Sequence, residues 1–263
     1  MTDSALQVRI GDILDLTIDK VANGGFCIAR YEGKVVFVRH ALPGEQVQAT
    51  VTEITSKFLR ADVTEVIQAS EHRVNPPCPV AGLCGGCDWQ HATLTYQREM
   101  KSEVVREQLA HLGKVESVNG EPLVKFSVQA MSDSETGLRW RTRNRFVRTG
   151  PDTVGLRMAR SHSAIEISDC LIAVEDAVAL AEQGLQFGGD EVSTATSSTG
   201  EEVVVDPRGG PWLNEKVLDR SWRIHASSFW QVHRLAPEKF VTTVRDFANL
   251  QMGERLLDLY AGS

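Results

Sequence analysis

The sequence predicts a multi-domain chain: a small closed β-barrel at the N-terminus, a central β-rich α+β domain with a cysteine cluster, and the start of a Rossmann-like α/β domain. Three observations predict it. Short apolar stretches separated by glycine turns fill residues 1–68, three cysteines crowd into residues 78–87, and residues 229–263 hold an amphipathic helix and then an apolar run that ends at a glycine. At 263 residues, 42% hydrophobic and 24% charged, the chain is ordinary globular material, long enough for two domains and the opening of a third. No apolar run approaches the length that spans a bilayer, and the N-terminus lacks a basic stretch followed by an apolar core. The expectation is a soluble, cytoplasmic monomer with no membrane partner.

In the first part, apolar residues alternate or cluster at 8–10, 13–18, 26–29, 35–38, 47–54 and 61–66. They are separated by Asn23-Gly24-Gly25, Glu32-Gly33 and Pro43-Gly44. Five or six short strands of this kind close into a barrel. Cys27 falls inside one of them and reads as a small buried hydrophobe.

The second part, residues 69–228, opens on Cys78-x5-Cys84-Gly-Gly-Cys87-Asp-Trp-Gln-His91. Gly85 and Gly86 let the loop fold tightly and bring amide N–H groups near sulfur. Such a loop supplies three ligands, and Cys170, where a short apolar strand ends at Asp169, is placed to supply a fourth. Thiols without an export signal stay reduced, which argues against disulfides. Zinc commonly takes two close pairs, whereas three clustered cysteines and a distant one suit a 4Fe-4S cube. Spacing favours the cluster and leaves zinc open.

A helix follows over 93–112, with Tyr96, Met100 and Val104 at helical spacing and Gly113 as its C-cap. Its apolar stripe reads as packing. Strands are expected at 123–130, 138–148, 153–159, 163–168, 202–206 and 221–226, and residues 188–200 as an exposed hairpin or loop without chemistry. The net charge of -7 is unevenly spread, for residues 137–160 hold seven arginines against Asp152 alone. Arg139, Arg141, Arg143 and Arg145 alternate with Trp140, Thr142 and Asn144, so a strand would set the guanidinium groups in a row on one face. A solvated face is the plain reading; a row of one sign matched to phosphates is the sharper one, and it points to RNA.

The third part, 229–263, reads as a helix over 235–250 and a buried strand over 253–263 that runs into a glycine turn, as such a sheet begins beside a nucleotide cofactor.

Together these residues resemble the uracil-C5 RNA methyltransferase family, in the branch that carries an iron–sulfur cluster. Gly24-Gly-Phe-Cys-Ile-Ala-Arg30 and the Gly33–Glu45 stretch resemble a TRAM domain, an OB-like barrel of RNA-modifying enzymes. The cysteine loop, Trp140-Arg-Thr-Arg-Asn-Arg145, Ser228-Phe-Trp-Gln-Val232 and Leu257-Asp-Leu-Tyr-Ala-Gly262 carry the rest. His233 stands where the family often has Asn. The resemblance implies that Cys78, Cys84, Cys87 and Cys170 ligate a 4Fe-4S cluster and that Gln231 and Tyr260 contact S-adenosyl-L-methionine. The helix at 93–112 is then free to pack on the catalytic domain.

The implied reaction is methylation of carbon 5 of a uridine, in ribosomal rather than transfer RNA. The family adds a cysteine thiolate to carbon 6, so that carbon 5 takes the methyl group before a carboxylate removes its proton. That cysteine and glutamate are expected beyond Ser263, so no catalytic residue is assigned within the chain, which is expected to be truncated and inactive alone. The alternative is a non-catalytic RNA-binding module with a structural metal site. A third reading is a zinc protein with an unrelated small-molecule transferase domain.

Overall fold

The computed structural model describes residues 7–131, 136–206 and 210–259. Two compact units divide them. One comprises the chain up to Gly82 with Cys87–Ala130, the other Leu83–Gly86 with Met131–Ser263.

In the first unit, β1 (Ile13–Val21), β2 (Cys27–Tyr31), β3 (Lys34–Arg39), β4 (Gln46–Ile54) and β5 (Phe58–Gln68) close a barrel in the order β1-β2-β3-β5-β4. All pairings are antiparallel except β3 with β5. The period-two alternation of the sequence is what the pleat turns inward: Leu14, Leu16 and Ile18 meet Val36, Val38, Val47, Ala49 and Leu59. Each fully buried aliphatic side chain of this size contributes roughly 1.5–3 kcal/mol. Cys27 lies inside, its thiol donating to the Ala41 carbonyl at 3.2 Å. Burial, then the nearby Glu45 charge, pushes that thiol up to about 12.

Glu45 is wholly buried and accepts hydrogen bonds from the Leu42 and Ser70 amides and from Arg73. Burial alone would raise its carboxyl, yet these donors hold it below its ordinary value. The helix α1 (Leu94–His111) begins where the Thr93 hydroxyl accepts the Tyr96 amide. Its Met100 packs with Val21, Leu42 and Ala92, flanked by Trp89, Tyr96 and Val104, so its stripe covers the barrel. Leu112, in right-handed helical conformation, closes the helix one residue before the expected Gly113. Two short pairs of residues, β6 (Ser117–Val118) and β7 (Glu121–Pro122), form a hairpin after it. The strand expected over 123–130 is instead a single 3-10 turn, Leu123–Lys125, followed by extended chain, with Phe126 reaching back to the Leu123 carbonyl.

In the second unit, β8 (Arg143–Arg148), β9 (Val154–Arg157), β10 (Ala164–Glu166), β11 (Glu191–Thr196) and β12 (Glu202–Val205) form an antiparallel sheet ordered β10-β9-β8-β11-β12. The helix α2 (Ala177–Gly184) lies on it, with Gly184 set close against Val192 and Val204. A separate ribbon pairs β13 (Trp212–Val217) with β14 (Arg220–His225), and Leu213 and Ile224 join Ala195 and Ala226 in a core cluster. Within 188–200 the chain forms β11 only over Glu191–Thr196, paired with β12 in a hairpin, so the expected hairpin is present but its first strand is buried in the sheet rather than exposed. Its Ser and Thr residues resemble a turn in composition, but Val192, Thr194 and Ala195 are buried between neighbours on both sides.

The helix α3 (Ala236–Ala248) has Pro237 in its first turn and Asn249 in left-handed conformation at its C-cap. The buried strand expected over 253–263 is absent from its described part, where Leu257 and Leu259 are each 81% exposed. A parallel strand forms only when flanking strands complete its ladder, and no described residue does so. No Rossmann-like sheet is therefore present among the described residues.

Candidate functional site

The arginine run is extended only in part. β8 starts at Arg143, whereas Arg139 takes a left-handed turn at φ 54°. Arg139 grips Asp169 through two hydrogen bonds, 2.8 and 2.6 Å, and reaches the Cys170 carbonyl at 3.3 Å. Hydrogen bonding to Arg139 holds the Asp169 carboxyl below its usual range. Arg141 donates to the Arg143 carbonyl at 3.0 Å. Arg143 turns inward: it donates to the Ala226 carbonyl at 2.7 Å and lies 3.4 Å from Glu215. Burial lowers its guanidinium, against the raising pull of Glu215. Arg145 faces solvent, 3.8 Å from Glu191.

These contacts bring two sequence motifs together. The Thr142 amide and hydroxyl both donate to the Val232 carbonyl, at 2.8 and 3.1 Å. The Arg234 amide donates to the Trp140 carbonyl, and the Trp140 ring stacks on His233 at 5.3 Å. Trp140-Arg-Thr-Arg143 thereby holds the segment 226–234 along its length. Gln231 and Arg139 consequently line one cavity of about 660 Å³, with Trp230, Arg234, Glu238 and Glu202 also on its wall. That volume suits a small ligand. Tyr260 lies outside the described residues.

Glu215 is the residue that sequence reasoning missed. Leu213, Glu215 and Val217 share the buried parity of β13, so an acid at an apolar position was the available signal.

The cysteine motif is anchored twice. Beyond Cys87, the Trp89 indole donates to the Gly25 carbonyl at 3.1 Å, and the Asp88 side chain fills the space that a Cβ on Gly25 would need. Gly25, at φ 83°, is thus fixed as glycine by both conformation and contact. His91 sits 3.4 Å from the Ala41 carbonyl, and burial lowers its pKa to about 4. Before Cys87, Leu83–Gly86 runs against the end of β9: the Gly85 amide donates to the Arg157 carbonyl, and the Ala159 amide to that of Leu83. A Cβ on Gly85 would meet Ala159 Cα and the Arg157 oxygen at 3.2 Å, so close backbone approach explains that glycine.

The five cysteines are thiols. Cys84, 8% exposed, accepts the Gly86 amide at 3.3 Å on its sulfur. Cys78, Cys87 and Cys170 are half-buried. In donor chemistry the set fits a thiolate-bound metal group. Among the described residues, however, no three His, Cys, Asp or Glu side chains gather where a metal could be held. No described helix is long and apolar enough to cross a membrane.

A family model described as TRAM domain matches residues 7–64, the closed barrel. An uncharacterized RNA methyltransferase of Streptomyces avermitilis is 35% identical, over 96% of this chain and 68% of that protein. The 23S rRNA (uracil(1939)-C(5))-methyltransferase RlmD of Halomonas elongata is 42% identical over 59% of this chain and 31% of its own length. The crystal structure of Pyrococcus abyssi tRNA (uracil-54, C5)-methyltransferase in complex with S-adenosyl-L-homocysteine shares the fold, with a TM-score of 0.63 at 18% identity over 94% of this chain and 67% of that one. The chain spans 61–68% of the length of the curated relatives that it matches almost end to end.

Proposed function

The chain belongs to the RNA methyltransferases, with a TRAM barrel at its N-terminus, and from that premise we propose that it serves S-adenosyl-L-methionine-dependent methylation of carbon 5 of a uridine in ribosomal RNA. The observation that carries the reading is Gln231, presented on the wall of a 660 Å³ cavity by a segment that Thr142 and Arg143 hold in place. The RlmD relative supports uridine carbon 5 and ribosomal RNA.

S-adenosyl-L-methionine supplies an electrophilic methyl group, with Gln231 and Tyr260 as its contacts in this chain. Carbon 5 of uracil becomes nucleophilic only after a thiolate adds to carbon 6, and a carboxylate then removes its proton. Cys27 is unfit as that thiolate: it is 1% exposed and its thiol is pushed up to about 12. Arg143, buried against Glu215, works as a positioning residue for the segment 226–234 rather than as a phosphate contact. Arg145 is the arginine of the row that is open to RNA, with Arg139 and Arg141 holding the surrounding chain. Residues 229–263 open the methyltransferase domain, led by α3.

Cys78, Cys84, Cys87 and Cys170 are the proposed holders of a 4Fe-4S cluster, on the strength of their spacing and of the amide bond to Cys84 sulfur. Its role is structural.

Transfer of a tritiated methyl group from S-adenosyl-L-methionine to unmodified ribosomal and transfer RNA tests this reading, run with the 263-residue chain and with the full reading frame of the gene. Label in ribosomal RNA is the expected result for the full reading frame. No label in either RNA would move the protein to an RNA-binding module that does no chemistry.

A further inference from the structure

The β13–β14 ribbon has one face buried and one open, and the open face is built from an uncommon set of residues. Leu213, Glu215 and Ile224 point inward, whereas register and alternation place Trp212, Asn214, Lys216, Ser221, Arg223 and His225 together on the other side. Trp212 is 53% exposed. The Arg223 guanidinium lies 5.2 Å from its ring centroid, and the His225 ring meets it edge-on at 5.5 Å. The Ser227 hydroxyl, 2.6 Å from His225 Nδ1, fixes that imidazole. The free edge of β13 is also occupied: the Asn214 and Lys216 amides donate to Glu201 and to the Ser198 hydroxyl.

A singly exposed tryptophan is common on protein surfaces. This one is flanked, on the same face of the ribbon, by a cation over its ring and an imidazole fixed by Ser227. The residues of this face include Lys216 and Arg223 and no carboxylate, and the neighbouring Glu201 is engaged by Asn214. Flat aromatic side chains on a sheet surface take unpaired bases, at roughly 1–3 kcal/mol per stacked base, and neighbouring cations take the phosphates. A duplex keeps its bases stacked inside and gains nothing from such a ring.

We propose that the open face of this ribbon is a docking surface for single-stranded RNA, with an unpaired base stacked on Trp212 and the flanking phosphates held by Arg223 and Lys216. The proposal rests on the reading of RNA as the partner and adds where, and in what strand state, the RNA is gripped.

The test is binding of an unstructured RNA oligomer, and of a duplex of equal length, to the whole chain between about 50 and about 200 mM salt. Trp212→Ala is expected to weaken single-strand binding about tenfold at every salt concentration with an unchanged salt slope, and Trp212→Phe to recover most of it. Arg223→Ala is expected to lower the slope by about one unit. If the parent chain binds RNA while Trp212→Phe, Trp212→Ala and Arg223→Ala all bind like it, the ribbon is not the site and the RNA reading stands. If the parent binds no RNA, that reading fails and the ribbon with it. Should Trp212→Ala fold poorly, judged by its thermal midpoint, Arg223→Ala decides alone. Equal loss of duplex and single-strand binding in the variants would overturn the strand preference.

Discussion

Glu215 sets a carboxylate oxygen 3.4 Å from the Arg143 guanidinium, with the two side chains 2% and 11% exposed. A second oxygen of Glu215 accepts the Ser198 amide at 2.9 Å, and the same guanidinium holds the Ala226 carbonyl. The pair therefore joins β8, β13 and the segment that presents Gln231.

Removing one partner leaves the other charge buried and unpaired. Glu215→Ala is expected to cost about 3–5 kcal/mol, seen as a lower urea midpoint, and the double change Arg143→Met with Glu215→Leu to restore much of it. A Glu215→Ala protein as stable as its parent would show that Arg143 is not left as an uncompensated buried charge.

Within the arginine row, burial separates the roles. Arg145 has a side chain 73% exposed, so Arg145→Ala should lower the salt slope of RNA binding by just under one unit. Arg143→Lys, which keeps the charge but loses the forked donors, should leave that slope alone while lowering stability. Equal slopes for the parent and Arg145→Ala would return the row to a solvated strand face.

His91 gives the first unit a defined pH response. Its pKa falls to about 4 because burial, reinforced by the Arg73 charge, disfavours the imidazolium, whereas the unfolded chain protonates near 6.5. The unfolded state thus binds more protons between these values, and stability should drop by up to about 3 kcal/mol as pH falls from about 6.5 to about 4. Urea midpoints across that range check it, and His91→Gln should flatten the decline. Glu45, held low, adds its own loss only in more acid solution. An unchanged decline in His91→Gln would assign the response elsewhere.

The thiol set makes a sharper demand. Purified without air, the chain should be brown and carry iron and sulfide, and Cys170→Ser should lose colour as fully as Cys84→Ser, because a four-thiolate site fails when any ligand goes. A colourless protein with one bound zinc would replace the cluster by zinc.

The barrel was legible because its strands alternate strictly and one face of each is buried, so period two reports the fold directly. Cys27 followed from the same parity. The two motifs around Trp140 and Gln231 were legible as strings, but not as partners, since a separation of about ninety residues is bridged by hydrogen bonds that no local pattern records. β11 was hidden because serine and threonine serve turns and sheets alike, and neighbours on both sides decide between them. The expected strand near Leu257 failed in the opposite sense: its apolar run was real, but a run becomes a strand only when another strand completes its hydrogen bonds.

The central claim, methylation at carbon 5 of uridine, is tested most directly by tritium release. Ribosomal RNA transcribed with uridine tritiated at carbon 5 is incubated with S-adenosyl-L-methionine and the full reading frame of the gene. Methylation at carbon 5 must expel the proton it carries, so the account predicts tritium in water in step with methyl groups gained by the RNA. Methyl groups gained without tritium release would place the modification on another atom and contradict it.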